Sequence, residues 1–231
     1  MRMDNNHEAR SGALAAETNL FMPLHEMSAV DMAEYYYPGA TALGIRASDG
    51  VVLAADKRVT YGYTLMSKAG KKIFKVLDRA GIASAGFIAD MQTLARTVEA
   101  EMKIFELESG MKPRVYNIAK LLSLILYSSS RYAPYIVETI VGGVDDEGAH
   151  VYVLDPLGAA IEDDYAAVGT GAQLAISIVE SEYRNSLSLE DARNLALKAV
   201  KAAFSRDAAS GDGIDLLLIS SDGIKEEFVP V

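Results

Sequence analysis

From residue 41 onward the chain alternates short apolar runs with polar turns. Leu43 and Ile45 precede Ser48-Asp49-Gly50, and Val51 to Ala55 follow it; Asp-Gly between two such runs is a hairpin signal. Two more strands, over 71–77 and 82–88, flank Asp78-Arg79-Ala80-Gly81, so a sheet is expected to be built before any helix begins. Asp90 should then cap a helix that carries Met91, Leu94, Val98, Met102 and Phe105 at helical spacing and stops at Gly110. A second helix, from Val115 to about Ser128, is apolar on several faces through Leu121, Leu122, Leu124, Ile125 and Leu126, more than one packing partner would cover.

The second half repeats that order. Strands over 135–144, 150–154 and 160–167, broken by Asp145-Asp146-Glu147-Gly148 and Asp155-Pro156-Leu157-Gly158, predict a second sheet. Gly169-Thr170-Gly171 opens a third helix to about Arg184, and Ser188-Leu189-Glu190-Asp191 has the shape of a capping box for a fourth that ends near Asp207. A hairpin over 215–220 and 224–229 closes a layered α+β order. Residues 1–40 do not fit it: they keep no period, end in Tyr35-Tyr36-Tyr37-Pro38-Gly39, and read as an extended or disordered leader before one domain over 41–231.

Half of the 231 residues are apolar, enough for a substantial core. With no cysteine there is no disulfide framework and no thiolate chemistry, and a net charge of −10 argues against a nucleic-acid partner. No stretch approaches the roughly 18 apolar residues of a spanning helix, so a soluble, cytoplasmic protein with no membrane partner is expected. His7, His25 and His150 lie far apart with no ligand spacing, so no metal is expected.

The most informative stretch is 38–72, PGATALGIRASDGVVLAADKRVTYGYTLMSKAGKK. A buried strand closing on Asp56-Lys57-Arg58, with Gly70-Lys71-Lys72 a short way on, could pair Asp56 with Lys72 beside the start of the first strand. In these residues the chain resembles proteasome β subunits of the archaeal type, which are N-terminal-nucleophile hydrolases, and the similarity continues to Val231. The resemblance implies a four-layer αββα sandwich, no cofactor, and a leader removed after a glycine to expose a threonine nucleophile. It also implies a four-ring core of heptameric rings shared with α and other β subunits, an indirect regulatory ATPase partner, and unfolded proteins as substrate.

Carried over by position, Lys72 is the lysine beside the nucleophile, where an ammonium eases alkoxide formation, and Asp56 orients it. Gly86 matches the oxyanion donor, Asp207 and Ser210 the pair around the free amine, and Thr170 stands where the family has serine between two glycines. Thr60, Gly70, Gly86 and Ala89 or Asp90 would pair with an extended peptide, and Val59, Ser84 and Ile88 would line the pocket for its side chain. Taken singly, an acid and a lysine near a turn are an ordinary ion pair; it is their order and spacing together that carry the likeness.

One position departs. The family reads Gly, three threonines, an aliphatic residue, Gly; here Gly39-Ala40-Thr41-Ala42-Leu43-Gly44 puts Ala40 at the nucleophile position. Alanine has no hydroxyl, and strand alternation turns Thr41 to the face opposite Lys72 unless the first strand is slipped or bulged. Three readings stay open: a non-catalytic ring subunit, an active threonine endopeptidase that uses Thr41, and a stand-alone amidohydrolase of the same fold. Ala40 itself fits either a natural companion subunit or a Thr-to-Ala change, and the second departure at Ala42 favours the former.

Overall fold

The computed structural model describes residues 39–62 and 64–231, so the leader expected over 1–40 lies outside the described residues except for Gly39 and Ala40. The chain opens with β1 (Ala42–Ala47) and β2 (Gly50–Asp56), paired in register from Ala42 opposite Ala55 to Ala47 opposite Gly50. Ser48 and Asp49 make the turn, and Asp49 also accepts the Leu189 N–H at 2.7 Å, which ties the hairpin to a distant helix start. A side hairpin follows, β3 (Val59–Tyr61) with β4 (Thr64–Ser67), and then β5 (Ile73–Val76) and β6 (Ala80–Gly86).

Helices α1 (Ile88–Ser109) and α2 (Val115–Ser129) come next, then β7 (Val137–Asp145), β8 (Gly148–Leu154), β9 (Ala160–Asp163) and β10 (Tyr165–Val168). Helices α3 (Ala172–Glu182) and α4 (Leu189–Phe204) precede the closing hairpin, β11 (Ile214–Ser220) and β12 (Gly223–Val229). The main sheets run β10-β1-β2-β11-β12 and β5-β6-β7-β8-β9.

Three apolar layers stack these elements as αββα. Met91, Leu94, Val98, Ile118 and Leu122 pack α1 and α2 on one sheet, and Ala175, Val179, Ala196, Ala199 and Val200 pack α3 and α4 on the other. Between the sheets lie Ala40, Ala42, Val51, Leu53, Ile73, Ala83, Ala85, Ile140 and Leu217, a layer with many small residues. The sheets approach closely because Gly44 and Gly142 leave room: a Cβ at either would lie 2.7 Å from Ile140 or 2.8 Å from Val51.

Three expectations are corrected. The early strands do not form one sheet: β1 and β2 join β11, while β5 and β6 join β7, because each sheet needs partners from both halves of the chain. The single strand expected over 160–167 is two, β9 pairing with β8 and β10 with β1, and the chain crosses between sheets at Asp164, which holds Arg46 through its side chain and its carbonyl. Asp90 is not a cap. The N-cap is Phe87, and Asp90 lies inside the first turn of α1, where its carboxylate accepts the Ile136 N–H at 2.8 Å and burial pushes its pKa up. At the other end of α1, Gly110 adopts φ 68° and closes the helix as expected.

Candidate active site

The register of β1 against β2 sets Thr41 opposite Asp56. The Asp56 N–H donates to the Thr41 carbonyl at 3.1 Å, and the Thr41 N–H donates to Asp56 Oδ1 at 2.9 Å. The same Oδ1 accepts from Lys72 Nζ at 2.7 Å, while Oδ2 accepts the N–H of Arg58 at 2.9 Å and of Gly211 at 3.0 Å. One carboxylate thus joins the start of β1, the end of β2, the approach to β5 and the loop after α4.

Lys72 precedes β5 in one sheet and reaches Asp56 at the end of β2 in the other, so its ammonium crosses the layer between the sheets. Burial raises the pKa of Asp56 and lowers that of Lys72, and in both the attraction and hydrogen bond of the pair oppose the effect.

A second cluster surrounds Ala40. Its N–H donates to Thr170 Oγ1 at 3.3 Å, and its carbonyl accepts the Gly171 N–H at 3.3 Å. Thr170 Oγ1 and Ser210 Oγ each donate to Asp207 Oδ2 at 2.6 Å, and Ser210 Oγ meets Thr41 Oγ1 at 2.7 Å. The chain enters from Gly39, where a Cβ would lie 2.0 Å from the Ala209 Cβ and 3.1 Å from Thr170 Oγ1.

Alternation along β1 separates the two candidate positions. Ala40 and Ala42 belong to the layer between the sheets, which Lys72 crosses, whereas Leu43 and Ile45 face α3 and α4. Thr41 faces with the latter: a Cβ at Gly171 would lie 2.0 Å from Thr41 Oγ1 and 2.8 Å from the Ala203 Cβ. The side chain at 40 is therefore the one on the lysine's side, and a methyl there offers no proton and no lone pair.

Asp56 and Thr170 thus bond the backbone at 41 and 40 directly, while Lys72 is tied to it through Asp56, Asp207 through Thr170, and Ser210 through the Thr41 hydroxyl. Gly86 ends β6 at φ 134°, and a Cβ there would lie 2.2 Å from the Ile136 carbonyl oxygen, so the position accepts only glycine. Val59, Gly70 and Ile88 converge: a Cβ at Gly70 would sit 2.4 Å from Val59 Cγ2 and 3.8 Å from Ile88 Cδ1. Ile88 begins α1 rather than extending a strand, and exposed Ala89 follows it in the helix. Ser84 is buried, with its hydroxyl 3.2 Å from that of Thr139. Thr60 is also buried, and its hydroxyl has no hydrogen-bond partner among the described residues.

The sequence reading missed part of this network. Arg58 donates from its side chain to Asp212 at 2.7 Å and to the Ala208 carbonyl at 2.8 Å, holding the loop that carries Ser210. Glu138 accepts the Gly169 N–H at 2.8 Å and steadies the turn before Thr170. The Gly211-Asp212-Gly213 run was the available signal for the loop, since all three residues have positive φ. Glu138 lies on a strand and carried no signal.

The family described as proteasome subunit matches residues 36–219. The chain is 61% identical over 194 residues to proteasome subunit beta 2 of Thermofilum pendens, covering 84% of this chain and 94% of that protein. It is 57% identical over 200 residues to proteasome subunit beta 2 of Pyrobaculum arsenaticum, covering 87% and 98%. To proteasome subunit beta 1 of Ignicoccus hospitalis it is 53% identical over 186 residues, covering 80% and 93%.

Proposed function

The chain belongs to the proteasome subunit family as a β subunit of the archaeal type, and from that premise we propose that it is a ring member with an assembled catalytic surround and no nucleophile of its own. Proteasome β subunits form part of a threonine-type peptidase complex. In this one the peptide-cutting hydroxyl would come from another β subunit of the same heptameric ring, stacked on rings of α subunits. Leu124, Tyr116 and Tyr127, exposed along α2, are apolar surface for such neighbours.

The observation that carries the reading is the opposite facing of Ala40 and Thr41. In an active subunit a hydroxyl at position 40 would sit beside Lys72, be polarised by the Lys72–Asp56 pair, and pass its proton to the free α-amine. The amine would be held by Thr170, Asp207 and Ser210, and the Gly86 N–H would receive the oxyanion. With Ala40 no step of that sequence starts, so the bond after Gly39 stays uncut. The alternative nucleophile, Thr41, is wholly buried, bonded to Ser210 and turned toward Gly171.

The test is the intact mass of the subunit after co-expression with its cognate α and β partners. Retention of residues 1–39 in the assembled particle is expected; a chain beginning at Thr41 would overturn the reading.

A further inference from the structure

Thr41 is more than filler on the far face of β1. We propose that it is a positioning residue whose hydroxyl donates to Ser210 and so holds that side chain against Asp207 in the set Ser210, Asp207, Thr170 around the Ala40 nitrogen; the proposal rests on reading those residues as the amine-binding set. A carboxylate only accepts, and a hydroxyl has one proton to give. Asp207 Oδ2 lies 2.6 Å from both Ser210 Oγ and Thr170 Oγ1, whereas the Ala40 carbonyl, the competing acceptor for Thr170, is at 3.3 Å, so both hydroxyls spend their protons on the carboxylate. The 2.7 Å contact between Thr41 and Ser210 can then only be Thr41 donating to a Ser210 lone pair. By the same count Thr170 is left as acceptor for the Ala40 N–H at 3.3 Å. Asp207 Oδ1 is held by the Ala209 N–H at 3.1 Å, which aims Oδ2 at the two hydroxyls.

Ser210 is therefore pinned from two sides, as donor to Asp207 and as acceptor from Thr41. Without the Thr41 donor, the buried Ser210 oxygen keeps an unfilled lone pair and can rotate away from Asp207, loosening the set that must orient the amine. A valine at 41 keeps the branched shape and replaces the hydroxyl by a methyl; a serine keeps the hydroxyl and loses only a methyl. The comparison separates a positioning role from a packing role.

The experiment uses the Ala40→Thr subunit assembled with its partners and measures hydrolysis of a fluorogenic peptide. Adding Thr41→Val should lower kcat about 5-fold to 10-fold, the scale of one lost hydrogen bond, with KM unchanged. Adding Thr41→Ser should leave kcat within about 2-fold. Equal losses in the two variants, or no loss in Thr41→Val, would overturn the proposal. If Ala40→Thr is itself inactive, the catalytic reading has failed, and the inference is decided by crystal structures of the natural chain and its Thr41→Val and Thr41→Ser variants. Ser210 should keep a single rotamer bonded to Asp207 in the natural chain and Thr41→Ser, and leave or split it in Thr41→Val. An unmoved Ser210 in Thr41→Val would overturn the inference.

Discussion

Lys72 donates to Asp56 across 2.7 Å, with side-chain exposures of 1% and 0%, and this contact joins the two sheets at the end where the chain enters its first strand. An ion pair so buried need not stabilise the fold relative to an apolar pair, but halving it is costly.

Lys72→Met is thus expected to lower stability by about 3–5 kcal/mol, because it leaves a buried carboxylate without its cation. Asp56→Asn should be similarly damaging, since an amide cannot accept from both of the donors on Oδ1 and both of those on Oδ2. Urea unfolding of the two variants measures this directly. A loss below about 1 kcal/mol in both would mean that the pair is hydrated and open.

Which face Thr41 occupies can be tested without any catalysis. Gly171→Ala would put a methyl 2.0 Å from Thr41 Oγ1, and should cost about 1–3 kcal/mol by overpacking. Adding Thr41→Ala should recover part of that, though not the clash with Ala203 at 2.8 Å. A double-mutant cycle on urea midpoints reads the coupling. Strict additivity would put Thr41 on the other face.

The loop that carries Ser210 has an acid weakness. The side-chain hydrogen bond from Arg58 holds the Asp212 pKa below the usual aspartate range, despite partial burial. A depressed carboxyl contributes stability that is present above its unfolded pKa and lost as pH falls through the folded one. Asp212→Asn should therefore cost up to about 1 kcal/mol near pH 7 and less at a pH below the usual aspartate range, as the folded carboxyl protonates. Unfolding midpoints at the two pH values check it; an equal cost at both would assign the effect to loop geometry instead.

Much of this was legible in the chain because local signals and the global fold agree. Ser48-Asp49-Gly50, the Gly110 stop and the Ser188 cap each encode their own turn or helix end, and each appears where expected. What could not be read depended on distant partners. Nothing local in 160–168 says that one strand changes sheets at Asp164, and nothing in Ile88-Ala89-Asp90 reveals that Asp90 serves the Ile136 N–H rather than a helix end. The pairing of Asp56 with Lys72 was readable from spacing and resemblance. The Thr41–Ser210 bond was not, as it joins residues 169 positions apart.

That the surround lacks only a hydroxyl at position 40 is open to direct experiment. It is tested most directly by assembling the Ala40→Thr subunit with its α partners, measuring leader loss by intact mass and peptide hydrolysis together, beside the natural chain. Ala40→Thr should shed residues 1–39 and hydrolyse peptide, while the natural chain should do neither. A natural chain that loses its leader before Thr41 and cuts peptide, with activity abolished in Thr41→Ala, would contradict it.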